Sequence, residues 1–486
     1  MSWTRSLWGG ALLTCACGSK PPVKMTTIQF GMVLDLSAIV AAPTRVPAVA
    51  VAVTDANAGL AKSASFSGFQ FAAVHQDSMN VPTIATAEAY AMVDAGIKLI
   101  IAGTNLDVTA LLRTDYQLDG GGPLAVPLIG IETSSPYLGN PSTTLHQALG
   151  DPWLLATDQD DAGWLFRTSA PSQGLAASMM HIARSYGDAG DVNGDGIFTA
   201  SIWSANQPLG LLTYALALEI AAPQLAPWGD GADGGQPNLR LFLVDSTLSP
   251  SSVDYPGILQ QILSTAALDG GLPGAPDVLV ESVFPSEAIG MVKQYDTFFA
   301  GNAAAPKFLH NQTFHFPQVL AALGAAANGQ EGVSFVVADP FTKASPTFLA
   351  EYQQLVGAAP QMWDAQAYDA ANLAMLAFLY AAHQNKDNDL SKVTPVQLVD
   401  ALRNINNLNG LLIGGGSDEF QRAADLIAQD KPINYDGASG PCDFDQNGNV
   451  VDRVTRYIVV NGQFVDGQIF DCVDDPQACP PSAAAP

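Results

Sequence analysis

Short β-branched runs alternate with longer Ala- and Leu-rich stretches along almost the whole chain, and this alternation constrains the fold more than any single motif. Apolar runs of strand length stand at 28–34, 69–74, 99–102, 124–131, 199–204, 241–244, 278–283, 307–309 and 332–337. Between them lie stretches of helical length at 83–95, 173–186, 209–222, 255–267, 288–299 and 365–382. Strand–helix–strand alternation predicts parallel sheets covered by helices on both faces. With 486 residues the chain has room for two domains of ordinary size. Two doubly wound lobes suit so many units better than one very wide sheet. Inserts rich in Gly, Pro, Asp and Asn at about 114–123, 136–163, 187–197, 223–238, 383–395 and 405–433 read as surface loops.

Composition excludes several functions. Hydrophobic residues make up 48% and charged residues 14% of the chain, which predicts large buried cores rather than disorder. Acidic residues outnumber basic ones by 46 to 20, for a net charge of −26. Nucleic acid and anionic membrane surfaces both need clustered Lys and Arg, so neither is an expected partner. No Gly-x-Ser-x-Gly elbow, Walker loop, Gly-x-Gly-x-x-Gly after a strand or His-Glu-x-x-His occurs, and no enzyme is expected. The six histidines are scattered; His310 and His315 flank a strand end and read as polar packing.

Residues 1–17 read as an export signal. Arg5 supplies the positive start, 7–16 an apolar stretch too short to span a bilayer, and Ala16 a small residue before Cys17. Ala16-Cys17-Gly18-Ser19 resembles a bacterial lipobox, which implies lipidation of Cys17 and a membrane anchor, although Thr14 and Cys15 depart from the usual pattern. Residues 18–26 would be a tether and 472–486 a disordered tail. Cys442, Cys472 and Cys479 remain in the mature chain, where both Cys472–Cys479 and Cys442–Cys472 pairings are open.

Asp191-Val192-Asn193-Gly194-Asp195-Gly196 carries oxygen ligands at positions one, three and five with Gly at six. That is the first half of an EF-hand-type calcium loop, but Ile202 replaces the closing Glu. A structural calcium on Asp191, Asn193 and Asp195 is one reading and an Asp/Gly-rich turn the other. No other cofactor is expected.

Several segments carry a family resemblance, in order along the chain. They are IQFGMVLDLS at 28–37, VTDANAGL at 53–60, FRTSAPSQG at 166–174, WDAQAYDAANLA at 363–374 and INYDGASGPCDFDQNGNVV at 433–451. The last reads as a β-hairpin, with Phe444 on one strand, Asn447-Gly448 at the turn and Val450-Val451 starting the return. In the second, Asn57 and Gly59 would cap a helix C-terminus. Together these segments resemble the type I periplasmic solute-binding proteins of the leucine/isoleucine/valine-binding family, over roughly residues 27–465.

The resemblance implies two α/β lobes, each a doubly wound parallel sheet, joined by a three-strand hinge. Lobe 1 would comprise 27–163 and 345–455, and lobe 2 would comprise 164–344 and 456–471. Solutes bind beyond the carboxyl ends of strands in such sheets, and two lobes close over them. Family positions carried across one by one imply ligand contacts from Ser37, Asp107, Thr133 and Ser134 in lobe 1. In lobe 2 they imply contacts from Trp203, Gln207, Phe284 and Glu287. Asp107 stands where the family places a hydroxyl that holds a carboxylate, and so argues against an ordinary branched-chain amino acid. The implied function is capture of a small polar solute, amino-acid or amide-like, for an ABC permease. The alternative is a ligand-sensing or structural envelope lipoprotein of the same fold.

Overall fold

The first sheet is parallel throughout. Its strands are β1 (Thr26–Leu34), β2 (Phe69–Asp77), β3 (Ile100–Thr104), β4 (Leu128–Glu132) and β5 (Leu165–Arg167), in the order β2-β1-β3-β4-β5. Period-two alternation divides β1 between two cores: Phe30, Met32 and Leu34 pack on one face of the sheet and Val33 on the other. Helix α1 (Arg45–Leu60) covers the first face, and α2 (Pro82–Asp94) and α3 (Asn105–Leu112) the second. This computed structural model describes residues 25–37, 42–112, 124–135, 138, 163–186, 200–205, 239–244, 252–265, 276–299 and 305–472. Cys17 and the export signal, the 191–196 loop with Asp191, Asn193 and Asp195, Gln207, Cys479 and most of the tail lie outside the described residues.

The second sheet is seven-stranded, in the order β14-β13-β10-β9-β8-β6-β7. After α4 (Gln173–Arg184) come β6 (Ala200–Ala205), β7 (Leu239–Val244), α5 (Tyr255–Thr265), β8 (Val278–Ser282) and α6 (Pro285–Phe298). Then follow β9 (Lys307–His310), α7 (Pro317–Leu323) and β10 (Glu331–Phe335). These strands run parallel to their neighbours, whereas the late β13 (Val454–Val460) and β14 (Gln463–Phe470) are antiparallel. The sequence therefore reads correctly as α/β with two doubly wound sheets.

Between the sheets' last strands the chain returns to the first lobe. There it builds α8 (Ser345–Val356), α9 (Asp364–Gln384), α10 (Pro395–Asn404) and α11 (Ser417–Ile427), with a small parallel pair, β11 (Leu411–Ile413) and β12 (Ile433–Tyr435). Helix α9 is buried almost all round because Ala365, Ala367, Ala370, Ala371, Ala374, Ala377 and Ala381 let its neighbours approach closely. Helix α10 starts with a Thr394/Gln397 capping box and Pro395 in the first turn. Among the described residues no helix is long and apolar enough to cross a membrane.

Three local expectations need correction. The 405–433 insert is not a surface loop: it holds β11, α11 and the start of β12, with Phe420, Ala423 and Ala424 packed in the first core. Residues 441–453 form no hairpin strands; only the turn is present, with Gly448 at φ +75° and the Asp445 carboxylate accepting from the amides of Asn447 (2.8 Å) and Asn449 (2.9 Å). The closing hairpin is β13–β14, whose two-residue turn Asn461-Gly462 has both φ positive, at 52° and 73°. Asn57 and Gly59 do not cap α1 either. Asn57 clamps β2 through both its amide groups, donating to the Phe71 carbonyl (3.0 Å) and accepting from its amide (2.7 Å). Gly59 lies inside the helix where α11 comes so close that a Cβ would sit 2.6 Å from the Ser417 carbonyl oxygen.

The chain crosses between sheets at 168–172, 336–344 and 436–453. It leaves the first sheet only after Arg167, later than the expected boundary at 164, because β5 pairs with β4. Cys442 is buried and free, and Cys472 is disulfide-bonded to a partner outside the described residues, which excludes the Cys442–Cys472 pairing.

Candidate functional site

The first two crossovers start at the carboxyl ends of β5 and β10, so the carboxyl edges of both sheets face the hinge. In open α/β sheets this edge is where ligands bind. At the first sheet's edge, Asp77 ties two loops together by accepting from the amides of Leu36 (3.0 Å) and Met79 (2.9 Å), with the exposed Ser37 just beyond.

Asp107 is not a wall of this edge. Its carboxylate is fully buried and forms a capping box at the start of α3: Oδ2 accepts from the Thr104 amide (3.2 Å), and the Thr104 hydroxyl accepts from the Asp107 amide (3.1 Å). Burial pushes its pKa up to about 6 against the hydrogen bonds from Ser78 and Thr104. A carboxyl so placed is spent on the helix, and the repulsion expected from it towards a carboxylate ligand loses its basis.

The loop after β4 is held from beneath. Thr133 is fully buried; its amide donates to the Ser169 hydroxyl (3.0 Å), which also lies 3.3 Å from the Thr133 hydroxyl. Ser134 retains 7% exposure while its carbonyl accepts from the Ser172 amide (2.8 Å). Ser135 donates its amide to Asn105 Oδ1 (3.1 Å). Ser134 is thus the hydroxyl of this loop with a face towards solvent, and Thr133 its internal anchor.

Beside this loop stands a charged group that sequence reasoning missed. Arg45, fully buried at the first turn of α1, donates to Glu132 Oε1 (2.9 Å), lies 3.4 Å from Asp364 Oδ1 and donates to the Thr44 hydroxyl (2.9 Å). Asp364 in turn accepts from Thr44 (2.6 Å). Glu132 keeps 17% of its side chain exposed, so the charge at this edge is partly open to solvent. A clue existed: an arginine in the first helical turn opposes the helix dipole and requires carboxylate partners.

The second sheet contributes Phe284, 36% exposed, at the N-cap of α6, with Pro285 in the first turn. Glu287 follows in that turn, buried to 4% exposure, accepting from the Ser286 hydroxyl (2.8 Å) and shifted upward by burial. Trp203 does not line an opening. It is fully buried in the second core, edge-on to Tyr255 with ring centroids 6.1 Å apart. The fully buried His310 lies 2.7 Å from Glu281 Oε1 and 2.8 Å from Gln330, so it is packing inside the sheet as the sequence suggests. Among the described residues no group of His, Cys, Asp or Glu could hold a metal ion.

The hinge is polar and buried. Asp452, in the third crossover, accepts from the Ala170 amide of the first (3.0 Å), and burial pushes its pKa up to about 8. Arg453 pairs with Asp339 of the second (2.6 Å). Arg167 joins the first crossover to the third through Asn449 (2.7 Å).

No protein-family model and no curated protein matches this sequence. Solved structures do match. The leucine-binding protein LivK of Thermotoga maritima has a TM-score of 0.61 at 14% identity, over 91% of this chain and 98% of that one. The branched-chain amino acid substrate-binding protein LivJ of Streptococcus pneumoniae, in complex with isoleucine, has a TM-score of 0.58 at 14% identity, over 91% and 100%. A Rhodopseudomonas palustris ABC-transporter solute-binding protein in complex with benzoate has a TM-score of 0.58 at 13% identity, over 94% and 98%. With these matches covering nine-tenths of the chain or more, the chain has the type I periplasmic-binding-protein fold of the ABC-transporter solute-binding proteins.

Proposed function

We propose that this protein captures a small polar solute between its two lobes and presents it to an ABC permease, without covalent chemistry. The observation that carries the reading is the Ser134 hydroxyl. It stands on a loop bonded to the first crossover through Thr133 and Ser134 and to α3 through Ser135, at the edge where both sheets turn towards the hinge. A ligand that touches this loop and the α6 start favours the closed arrangement by its differential contacts. Ser37, Ser134 and Glu132 on one side, with Phe284 and Glu287 on the other, form the proposed contact set. Gln207 belongs to the same set by sequence position.

The named ligands of the structural neighbours are leucine, isoleucine and benzoate. All carry a carboxylate; Asp107 is buried in its capping box and Glu132 is paired with Arg45, so neither argues against such a group at the first lobe's edge. The solute class is therefore amino-acid-like or aromatic carboxylate, bound through hydroxyls and helix N-termini. Export is part of the proposal: residues 1–17 act as the signal, Cys17 as the lipidated anchor, and the Cys472 disulfide suits an oxidising compartment. Calcium on Asp191, Asn193 and Asp195 would pin an insert rather than take part in capture.

A thermal-shift screen of the mature protein against amino acids, amides, benzoates, polyamines, sugars and calcium tests this. A ligand at a hundredfold excess over its Kd stabilises by about 2.7 kcal/mol. A small-solute shift that disappears in Ser134→Ala is the expected result; silence across the panel, or a shift from calcium alone, overturns the reading.

A further inference from the structure

We infer that Arg167 is a positioning residue for solute capture, a clasp that holds the 133–135 loop to the hinge; the inference rests on the function proposed above. Arg167 ends β5 and is fully buried. Its Nη1 donates to the carbonyls of Thr133 (2.8 Å) and Ser135 (2.6 Å), which flank Ser134 on both sides. Its Nε donates to Asn449 Oδ1 (2.7 Å) in the third crossover. Asn449 is in turn held by Asp445 through its amide (2.9 Å) and its side-chain nitrogen (3.2 Å). One guanidinium thus bonds the loop that presents the hydroxyl and the segment across which the lobes are joined. Nη2 has no acceptor among the described residues, so the guanidinium is committed through Nε and Nη1 only.

Physical chemistry argues against mere filling. Burying a guanidinium is costly, and burial pulls its pKa down to about 10 even with Asp445 and Asp452 nearby. An aliphatic side chain of similar volume would fill the site at no such cost. What an aliphatic side chain cannot do is satisfy the carbonyls of Thr133 and Ser135 and the side chain of Asn449 together. A lysine has the charge but not the planar fork that spans acceptors on two different segments. The backbone repeats the link, since the Arg167 amide donates to the Gly448 carbonyl (2.9 Å). The clasp therefore fixes the height of Ser134 above the sheet and makes the loop follow any movement of the third crossover.

The test uses the full mature chain with spin labels at Ala87→Cys on α2 and Thr297→Cys on α6, both exposed and on different lobes. Inter-lobe distance distributions and amide exchange are read together in Arg167→Met, Arg167→Lys and Asn449→Ala. In Arg167→Met the amides of 133–135 are expected to exchange faster by about tenfold or more, as expected for loss of at least one buried hydrogen bond. The distance distribution is expected to broaden, while exchange in α9 stays unchanged. Arg167→Lys restores part of both. Asn449→Ala broadens the distances but leaves the loop protected, because the two carbonyl bonds remain. Wild-type loop exchange and distances in Arg167→Met, or a uniform rise in exchange across the first lobe in all three variants, overturns the clasp. No outcome here requires a bound solute, so failure of the clasp is separate from a silent thermal-shift panel, which would sink the proposed function.

Discussion

Asp369 offers the sharpest test of how the first lobe is assembled. It sits fully buried on α9, where one carboxylate collects the segment that leads from β12 into the third crossover. Oδ1 accepts from the Tyr435 hydroxyl (2.7 Å) and the Ala438 amide (2.7 Å), and Oδ2 from the Ser439 amide (2.7 Å) and hydroxyl (2.6 Å). In Asp369→Ala the two hydroxyls can turn to other acceptors, but the two amides are fixed by the backbone. Each buried amide left without a partner costs about 1–3 kcal/mol, and the hole adds to that, so a loss of roughly 4–6 kcal/mol is expected. Asp369→Asn keeps Oδ1 for Tyr435 and Ala438 but turns an NH2 towards the Ser439 amide, a donor facing a donor, for roughly 2–3 kcal/mol. Against a total stability of about 5–15 kcal/mol the alanine variant is near the limit of folding. Urea unfolding followed by tryptophan fluorescence and far-ultraviolet dichroism measures the order wild type, Asn, Ala. A cost below about 1 kcal/mol for Asp369→Ala would show that other groups satisfy these amides and that the carboxylate does not organise the segment.

Two further outcomes are expected. Asp55 on α1 is pushed up to about 8 by burial and by the neighbouring Glu351 on α8, so the folded state keeps a proton that the unfolded chain releases near its ordinary 3.8. Its contribution is fully present below about pH 4 and lost as pH rises through about 8, so stability should fall over that window by up to a few kcal/mol. Asp452 titrates in the same sense, so the contrast between wild type and Asp55→Asn isolates this site; identical pH slopes in unfolding midpoints would refute it. Gly448 has φ +75°, and a Cβ there would sit 2.1 Å from the Leu165 carbonyl oxygen. Gly448→Ala should therefore cost about 2 kcal/mol or more, whereas Gly68→Ala, with nothing within 4 Å of the new methyl, serves as the near-neutral control in the same denaturation assay.

The legibility of the site was uneven, for identifiable reasons. Asp107 stood out as a charged residue at a position expected to hold a hydroxyl. Only its pairing with Thr104, three residues earlier, turns it into a helix cap. Trp203 was drawn towards the ligand by strand-end position, but the edge-on stack with Tyr255 places it in the core. Phe-Arg-Thr at 166–168 was recognised as a segment, yet the acceptors that give Arg167 its role come from residues 34 and 282 positions away. Arg45 and Asp364 are likewise 319 residues apart. The closing hairpin was placed too early because Asn447-Gly448 and Asn461-Gly462 are the same dipeptide; only the second is flanked by strands that pair.

The sequence by itself determined the α/β class, most strands and helices of the two sheets and the two-lobe plan. These follow from local spacing, since a period of two or of about 3.6 residues is written in neighbouring positions. Tertiary structure alone decided which polar groups are spent inside and which face solvent. Thr133, Arg167 and Asp369 became internal because donors and acceptors from distant segments meet them there. A buried polar group must find its partner wherever the fold brings one, and no short-range pattern records that meeting.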